Sequence, residues 1–268
     1  MPNHYATPKR IELLQKIRVD VSDHEPDPFC LTGSFLWSGE GPAVEIVGGG
    51  SGQVPELGVV ELDIKLTHPE GIGLRTESVF ALSGRVNVLA GTYQKPALGG
   101  IQLLGGQSGS AHIDLDVRVA YARQPIVIDG ETQYSNRHKL QGSVRGSAID
   151  TEFGVFLRNA DTSILQVDIE GLSPDSGAGL VFGSGAMHNI WIGTIEDDEP
   201  LHILFDSPDV TIPIKRKSRR ESARTLEKRS LQTWKNPDFN RIVGNFDRKK
   251  VSGPEGSNIL DLNRSDHV

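Results

Sequence analysis

The chain has 268 residues, of which 37% are hydrophobic and 24% are charged, and its formal net charge is −7. This composition excludes a chain that is disordered throughout, because such chains are poorer in apolar residues. The single cysteine, Cys30, excludes a scaffold held together by internal disulfides.

No apolar stretch of the sequence approaches the ~20 residues that a helix needs to span a bilayer. The chain also does not open with a basic segment followed by an apolar one, which is the pattern of a secretory leader. We therefore expect no membrane span and no signal peptide. The expected location is intracellular: cytoplasmic, nuclear or virion-internal.

Residues 1 to 26 are predicted to form an N-terminal arm and a first strand. Thr7 and Pro8 are typical of a helix start, whereas apolar and polar residues alternate from 17 to 21, as in a strand. We favour a short helical turn that leads into a strand near residues 16 to 22.

Residues 27 to 214 are predicted to form a β body of about a dozen short strands. The clearest is AHIDLDVRVAYA, and VVELDIKL and SILQVDIEG repeat its alternation of apolar and charged residues. Such alternation indicates one buried face and one solvated face. In the clearest strand the predicted buried residues are Ile113, Leu115, Val117 and Val119, opposite Asp114, Asp116 and Arg118.

This pattern predicts an all-β fold with mainly antiparallel strands, either a two-sheet β-sandwich or jelly roll or a closed barrel. A parallel α/β sheet is disfavoured because helical segments do not alternate with the strands. Asp129-Gly130 is the clearest candidate for a hairpin turn. The sequence contains no repeat of fixed period.

A discontinuity in charge follows the β body. Residues 1 to 214 carry a net charge of −14, residues 215 to 250 carry +9, and residues 251 to 268 carry −2. We therefore predict that residues 215 to 250 form a basic tail and that residues 251 to 268 form a flexible C-terminus.

The basic tail begins with the run KRKSRR, which can neutralise phosphates of a nucleic acid or bind a partner subunit. Alternatively, the run folds back on the acidic body, since opposite charges attract. The predicted polyanion- or partner-binding residues are Lys215, Arg216, Lys217, Arg219 and Arg220.

The second half of the basic tail is predicted to be a short amphipathic helix. Asn236 can cap it, and Pro237 suits its first position. The spacing i, i+3, i+4, i+7 places four apolar residues on one helical face. We expect these residues and a nearby tryptophan to dock on the body or on a partner: Trp234, Phe239, Ile242, Val243 and Phe246.

The remaining motifs match no catalytic or metal-binding signature. The glycine-rich run from 48 to 52 lacks the lysine of a phosphate-binding loop, and Ser108 near His112 has only half of a nucleophile-elbow pattern. The acidic run from 196 to 199 lacks the spacing of a calcium loop. We predict no catalytic residue, metal or cofactor, and we expect Cys30 to be buried as a small hydrophobic residue.

The leading hypothesis is a non-enzymatic structural or interaction module with a self-associating acidic body and a basic tail that binds a partner subunit or polyanion. The alternative is a β-barrel that binds a small molecule or carbohydrate, with isomerase or hydrolase activity in its mouth. A third hypothesis is a membrane-active β protein, which the charged strand faces disfavour.

Overall fold

In the computed structural model, the described residues are 10–21, 29–48, 59–79, 81–105, 112–130, 135–147, 149–172, 177–196, 201–205, 237, 239–253 and 256–262. They form β-strands, numbered here in chain order, and one 3-10 helix, Arg248–Lys250. In this part of the chain, no helix has the length and apolar character required to cross a bilayer.

The strands form two large sheets and one small one. Sheet A contains, in spatial order, β1 (Ile11–Leu13), β3 (Phe29–Trp37), β5 (Val59–His68), β7 (Ala81–Ala90), β9 (His112–Ala120), β12 (His138–Arg145), β15 (Ile164–Glu170), β17 (Ile190–Thr194), β19 (Arg241–Asn245) and β21 (Ile259–Leu262). Sheet B contains β2 (Ile17–Asp20), β4 (Pro42–Val47), β6 (Ile72–Glu77), β8 (Ala97–Leu104), β10 (Ala122–Asp129), β13 (Phe153–Arg158), β16 (Ala178–Phe182), β18 (Ile203–Phe205) and β20 (Val251–Ser252). The small sheet pairs β11 (Ser135–Asn136) with β14 (Ala160–Asp161).

Every strand pair within sheets A and B is parallel, and the chain alternates between the two sheets. Each coil of the chain adds one strand to each sheet, which is the arrangement of a β-solenoid. Equivalent positions on successive coils are separated by 25 residues at Asp114 and Lys139 and by 26 at Asp168 and Thr194.

The predicted antiparallel sandwich, jelly roll or closed barrel is therefore wrong. One wet face usually indicates an antiparallel sheet, because parallel sheets are commonly covered by crossover helices. Here each crossover is itself a strand of the other sheet, so parallel pairing needs no helix. The predicted hairpin at Asp129-Gly130 is also wrong, because β10 pairs in parallel with β8 and β13.

The hydrophobic core lies between sheets A and B. In β5 and β9 the apolar residues of the alternating pattern are buried and the charged ones face outward. Sheet B differs, because β13 and β16 are buried along nearly their whole length. A second apolar cluster lies outside the main core and contains Val127, Phe153, Phe156, Ala178 and Val181. The polar surface of the stack is therefore concentrated on sheet A.

Sheet B packs closely against sheet A where small residues repeat from coil to coil. A Cβ atom added at Gly154 would lie 2.6 Å from the Gly179 oxygen and 2.8 Å from a methyl carbon of Ile169. A Cβ added at Gly179 would lie 2.9 Å from Ile195 in the same way. Glycine is therefore required at these positions because any side chain would collide with sheet A.

The corner that leads into sheet A is a one-residue turn repeated on four coils. Arg137, Thr162, His188 and Phe239 all have left-handed backbones, with φ between 54° and 60°. Each is followed by a buried polar residue whose side chain points inward. These residues are His138, Ser163, Asn189 and Asn240. Repetition of this strained conformation indicates that packing and hydrogen bonding on every coil hold the corner in place.

The inward-pointing residues of the corner form a continuous ladder of hydrogen bonds, which we call the asparagine ladder. Asn189 Oδ1 accepts from the Ser163 backbone N–H at 3.0 Å, and Asn189 Nδ2 donates to Asn240 Oδ1 at 3.0 Å. Asn240 Nδ2 in turn donates to Asn258 Oδ1 at 2.9 Å. The ladder satisfies buried backbone and side-chain groups where strand pairing ends.

The predicted amphipathic helix is wrong, and the end of the predicted basic tail is part of the solenoid. Residues 241 to 245 form β19, which pairs with β17 and β21 inside sheet A. Ile242 is fully buried, and the Phe246 ring packs edge-on against Trp191 with centroids 6.5 Å apart. The segment from 240 to 253 is therefore an integral part of the stack.

Replacing Gly154 by alanine should lower the free energy of unfolding by about 1 to 3 kcal/mol, because the added methyl group overpacks the contact between the sheets. Urea denaturation monitored by tryptophan fluorescence would measure the change. Gly41→Ala is the matched control, because an added Cβ there meets nothing within 4 Å. Equal stability of the two variants would contradict the close packing at Gly154.

Replacing Asn189 by alanine should lower the free energy of unfolding by at least about 2 kcal/mol, because buried hydrogen-bonding groups of the ladder lose their partners. Asn245→Ala is the control, because Asn245 is exposed on β19, and its effect should stay within about 0.5 kcal/mol. A loss no larger for Asn189→Ala than for Asn245→Ala would show that the ladder does not stabilise the stack.

Candidate anion-binding site

The basic run predicted to bind a polyanion lies outside the described residues. This applies to Lys215, Arg216, Lys217, Arg219 and Arg220, and also to Trp234. Their predicted role stays a prediction.

The four apolar residues of the predicted docking face do not share a face. Ile242 and Phe246 point into the core, whereas Val243 lies on the outer side of β19. Phe239 is 57% exposed at the corner, and its ring stacks on the imidazole of His188 with centroids 5.4 Å apart. These residues therefore stabilise one coil and its neighbours, and they do not form one docking surface.

Other residues singled out from the sequence also remain apart. Cys30 was expected to be buried but is exposed, because it lies on the outer face of β3, with its sulfur 3.6 Å from Glu61 Oε2. His112 is exposed at the start of β9, while Ser108 lies outside the described residues. Within the described ranges, no three His, Cys, Asp or Glu side chains are grouped to hold a metal.

The outer face of sheet A is organised into rows of side chains that run across the strands. In-register parallel pairing places equivalent outward residues of successive coils side by side, about 4.8 Å apart. Most charges in these rows are paired with a neighbour. The pairs are Arg85–Asp116 at 3.6 Å, Lys139–Asp114 at 2.8 Å, Arg145–Glu170 at 4.0 Å and Arg241–Asp261 at 2.9 Å.

Two cations on this face are exceptions. Lys65 on β5 and Arg118 on β9 are exposed, and neither forms an ion pair with a carboxylate among the described residues. Asn87 lies between them on β7, since it pairs in register with both. Ser143 on β12 follows Arg118 in the same row.

These residues surround an open depression of about 320 Å³, which we call the sheet A pocket. Its polar lining includes Lys65, Asn87, Arg118, Ser143 and Arg145, with one carboxylate from Glu170. Leu89 and Ala120 supply an apolar side. The pocket thus concentrates positive charge on a chain whose net charge is −7.

The sheet A pocket has the chemistry of an anion site. A guanidinium offers paired N–H donors that match a carboxylate, sulfate or phosphate, and an ammonium adds a mobile point charge. The amide of Asn87 and the hydroxyl of Ser143 can donate further hydrogen bonds. Positive charge in a depression also raises the local concentration of anions.

The strands of this site were predicted from the sequence, but the site itself was missed. Lys65 and Arg118 are 53 positions apart in the chain, and each looked like an ordinary solvated residue of an alternating strand. They approach one another only because β5, β7 and β9 are neighbours in register. The sequence contains no local signal for that pairing.

A histidine and a serine form a buried hydrogen-bonded pair at the corner that leads into sheet A. His138 Nδ1 lies 3.2 Å from Ser163 Oγ, and both residues are buried in line with the asparagine ladder. Burial lowers the pKa of His138 to about 4. Burial also lowers the pKa of His68, whose Nδ1 donates to the Glu70 carbonyl. Both imidazoles are buried, with 1% of His68 and 2% of His138 exposed.

The pKa of His138 predicts a dependence of stability on pH. The unfolded chain binds a proton near the ordinary value of 6.5, whereas the folded protein resists it down to about pH 4. Stability is therefore complete above pH 6.5 and falls as pH decreases, by about 3 kcal/mol on reaching pH 4.

His138→Asn should remove most of this loss, because asparagine suits the ladder and does not titrate. Urea unfolding between pH 4 and 7 would measure the slope, and His112→Asn is the exposed control. The prediction fails if His138→Asn keeps the pH dependence of the unsubstituted protein. An NMR titration of the His138 ring would measure its pKa directly.

Comparison of this chain with models of protein families, with curated proteins and with solved structures found no match. A solenoid fold by itself does not define a function.

Proposed function

We propose that the protein is a non-enzymatic structural and interaction module that binds an anionic partner at the sheet A pocket. The observation that carries this proposal is the pair of exposed cations Lys65 and Arg118, which have no carboxylate partner among the described residues, on a face where the other cations described above have one. Within the part of the chain that the structure describes, neither cation contributes an ion pair to the fold. Both are available to an external anion.

The solenoid supports this role because it holds the binding groups on a rigid surface. The β5–β7 and β7–β9 pairings continue in register over ten and nine residues, respectively. Side chains on paired strands lose less freedom on binding than side chains on loops, which favours affinity. The proposed activity is therefore binding and display.

The alternative hypothesis assumed a closed barrel, and this part of it is wrong. The described strands form two parallel sheets stacked coil on coil and do not close into a barrel. Apolar side chains fill the space between the sheets in the described part of the chain. Carbohydrate as a ligand class remains compatible with the outer face.

Self-association is a second element of the proposal. Among the described strands, β21 pairs only with β19 and is an edge strand of sheet A. Ile259 and Leu262 on this strand are 54% and 38% exposed. A free edge with exposed apolar residues favours contact with a second copy. An intracellular location, whether cytoplasmic, nuclear or virion-internal, belongs to the same proposal.

Replacing Lys65 and Arg118 together by alanine should weaken binding of inorganic triphosphate about tenfold, corresponding to about 1.4 kcal/mol. Isothermal titration calorimetry at low ionic strength would measure this, and the difference should shrink with added salt. Lys139→Ala is the matched control, because Lys139 lies on the same face but pairs with Asp114.

The basic run from 215 to 220 requires its own arm of this experiment. Lys215→Gln, Arg216→Gln and Lys217→Gln in the full chain would report binding through that run. If these substitutions abolish triphosphate binding while Lys65→Ala with Arg118→Ala changes nothing, the proposed site is wrong.

A further inference from the structure

The sheet A pocket is part of a longer feature on the outer face of sheet A, which we call the sheet A track. Its polar row runs across five neighbouring strands, because each member pairs in register with the next. The members are Ser34, Lys65, Asn87, Arg118 and Ser143. With strands about 4.8 Å apart, the row is about 19 Å long, and its two cations are about 10 Å apart.

An apolar row runs beside the polar one. Leu36, Thr67, Leu89 and Ala120 pair in register on β3, β5, β7 and β9, two residues further along each strand, and Thr67 is the polar member of this row. The separation between the rows is about 7 Å. Leu89 is 36% exposed at the centre of this row. The track thus offers hydrogen-bond donors and positive charge on one side and an apolar ledge on the other.

The track ends where the charge of the row changes sign. The residue that follows Ser143 in register is Asp168, whose carboxylate accepts hydrogen bonds from the backbone and hydroxyl of Thr194. A carboxylate at this position repels an anionic ligand. The usable length of the track is therefore the five strands from β3 to β12.

On this basis we infer that the ligand is a linear acidic polysaccharide that lies along the track, parallel to the solenoid axis; this inference rests on the proposed function. Regularly spaced carboxylate or sulfate groups would meet Lys65 and Arg118. Ring hydroxyls would meet Asn87 and Ser143. The apolar C–H faces of the sugar rings would cover Leu89 and Ala120.

Two other linear anions fit the track less well. A single-stranded nucleic acid gains much of its affinity from stacking on aromatic side chains, and none of the track residues is aromatic. An extended acidic peptide usually adds as a strand at a sheet edge, whereas the track lies on the face of sheet A. The binding experiment includes both of these ligands.

The test is isothermal titration calorimetry of the full chain with a sulfated hexasaccharide, a sulfated disaccharide and inorganic triphosphate. The hexasaccharide should bind at least tenfold more tightly than the disaccharide, because it occupies more of the track. Six-residue oligothymidylate and six-residue polyglutamate should each bind at least fivefold more weakly than the hexasaccharide. Equal or tighter binding of either one overturns the polysaccharide assignment.

Leu89→Ser and Ser34→Ala probe the track outside its cations. Each should weaken hexasaccharide binding at least threefold and leave triphosphate binding unchanged. Leu98→Ser is the control, because Leu98 is an exposed leucine of sheet B. If Leu89→Ser and Ser34→Ala have no effect while Lys65→Ala with Arg118→Ala still weakens triphosphate binding, the track is wrong and the anion site stands. If Lys65→Ala with Arg118→Ala leaves triphosphate binding unchanged, the proposed function itself fails.

Discussion

Parallel pairing in register between successive coils is the constraint on which the rest of the structure depends. A shift of one residue would turn every inward side chain of a strand outward and place charged residues in the core. Long alternating strands such as β5 and β7 resist this shift along their whole length. In the second half of the chain, the hydrogen bonds of the asparagine ladder also fix the register, because they join equivalent corners of successive coils. Asn189 hydrogen-bonds to Asn240, which lies 51 residues further along the chain, so the register is kept between these two corners.

The same register determines the electrostatics of the outer surface. Each exposed ion pair on sheet A contributes little to stability, because water screens the charges and the long side chains lose freedom. The register of the rows still determines which charged side chains lie next to each other. Arg85 is placed beside Asp116, and Lys139 beside Asp114, whereas Lys65 and Arg118 flank an uncharged asparagine. A binding surface can therefore arise without any cost to the core beneath it.

The sequence predicted the faces of single strands well and their arrangement poorly. In β9 the alternation assigned Ile113, Leu115 and Val117 correctly to the buried side. Alternation depends only on local burial, so it can be recognised in one strand. Pairing partners in sheet A lie from 18 residues apart, at Arg241 and Ile259, to 51 residues apart, at Ile190 and Arg241, and this uneven spacing leaves no fixed period in the sequence. The candidate site needs that pairing, so local patterns could not have revealed it.

The failed helix prediction near the C-terminus has a physical cause. Phe239, Ile242 and Phe246 have helical spacing, yet each is placed by a different feature of the coil. Phe239 takes the left-handed corner position, Ile242 is an inward residue of β19, and Phe246 packs on Trp191 beyond the strand end. Contacts with neighbouring coils outweigh the weak intrinsic preference of a short segment for helix.

The basic run is followed in the chain by further strands of the solenoid, so truncation of the chain cannot test its role. Residues 215 to 220 fall between β18 and β19, so coils of the solenoid both precede and follow them. A chain cut at residue 214 would lose β19 and β21, and β17 would become an open edge of sheet A. Trp191, which is fully buried, would lose its contact with Phe246. Loss of folding after such a cut would therefore report on the missing coils, and the basic run has to be neutralised within the full chain.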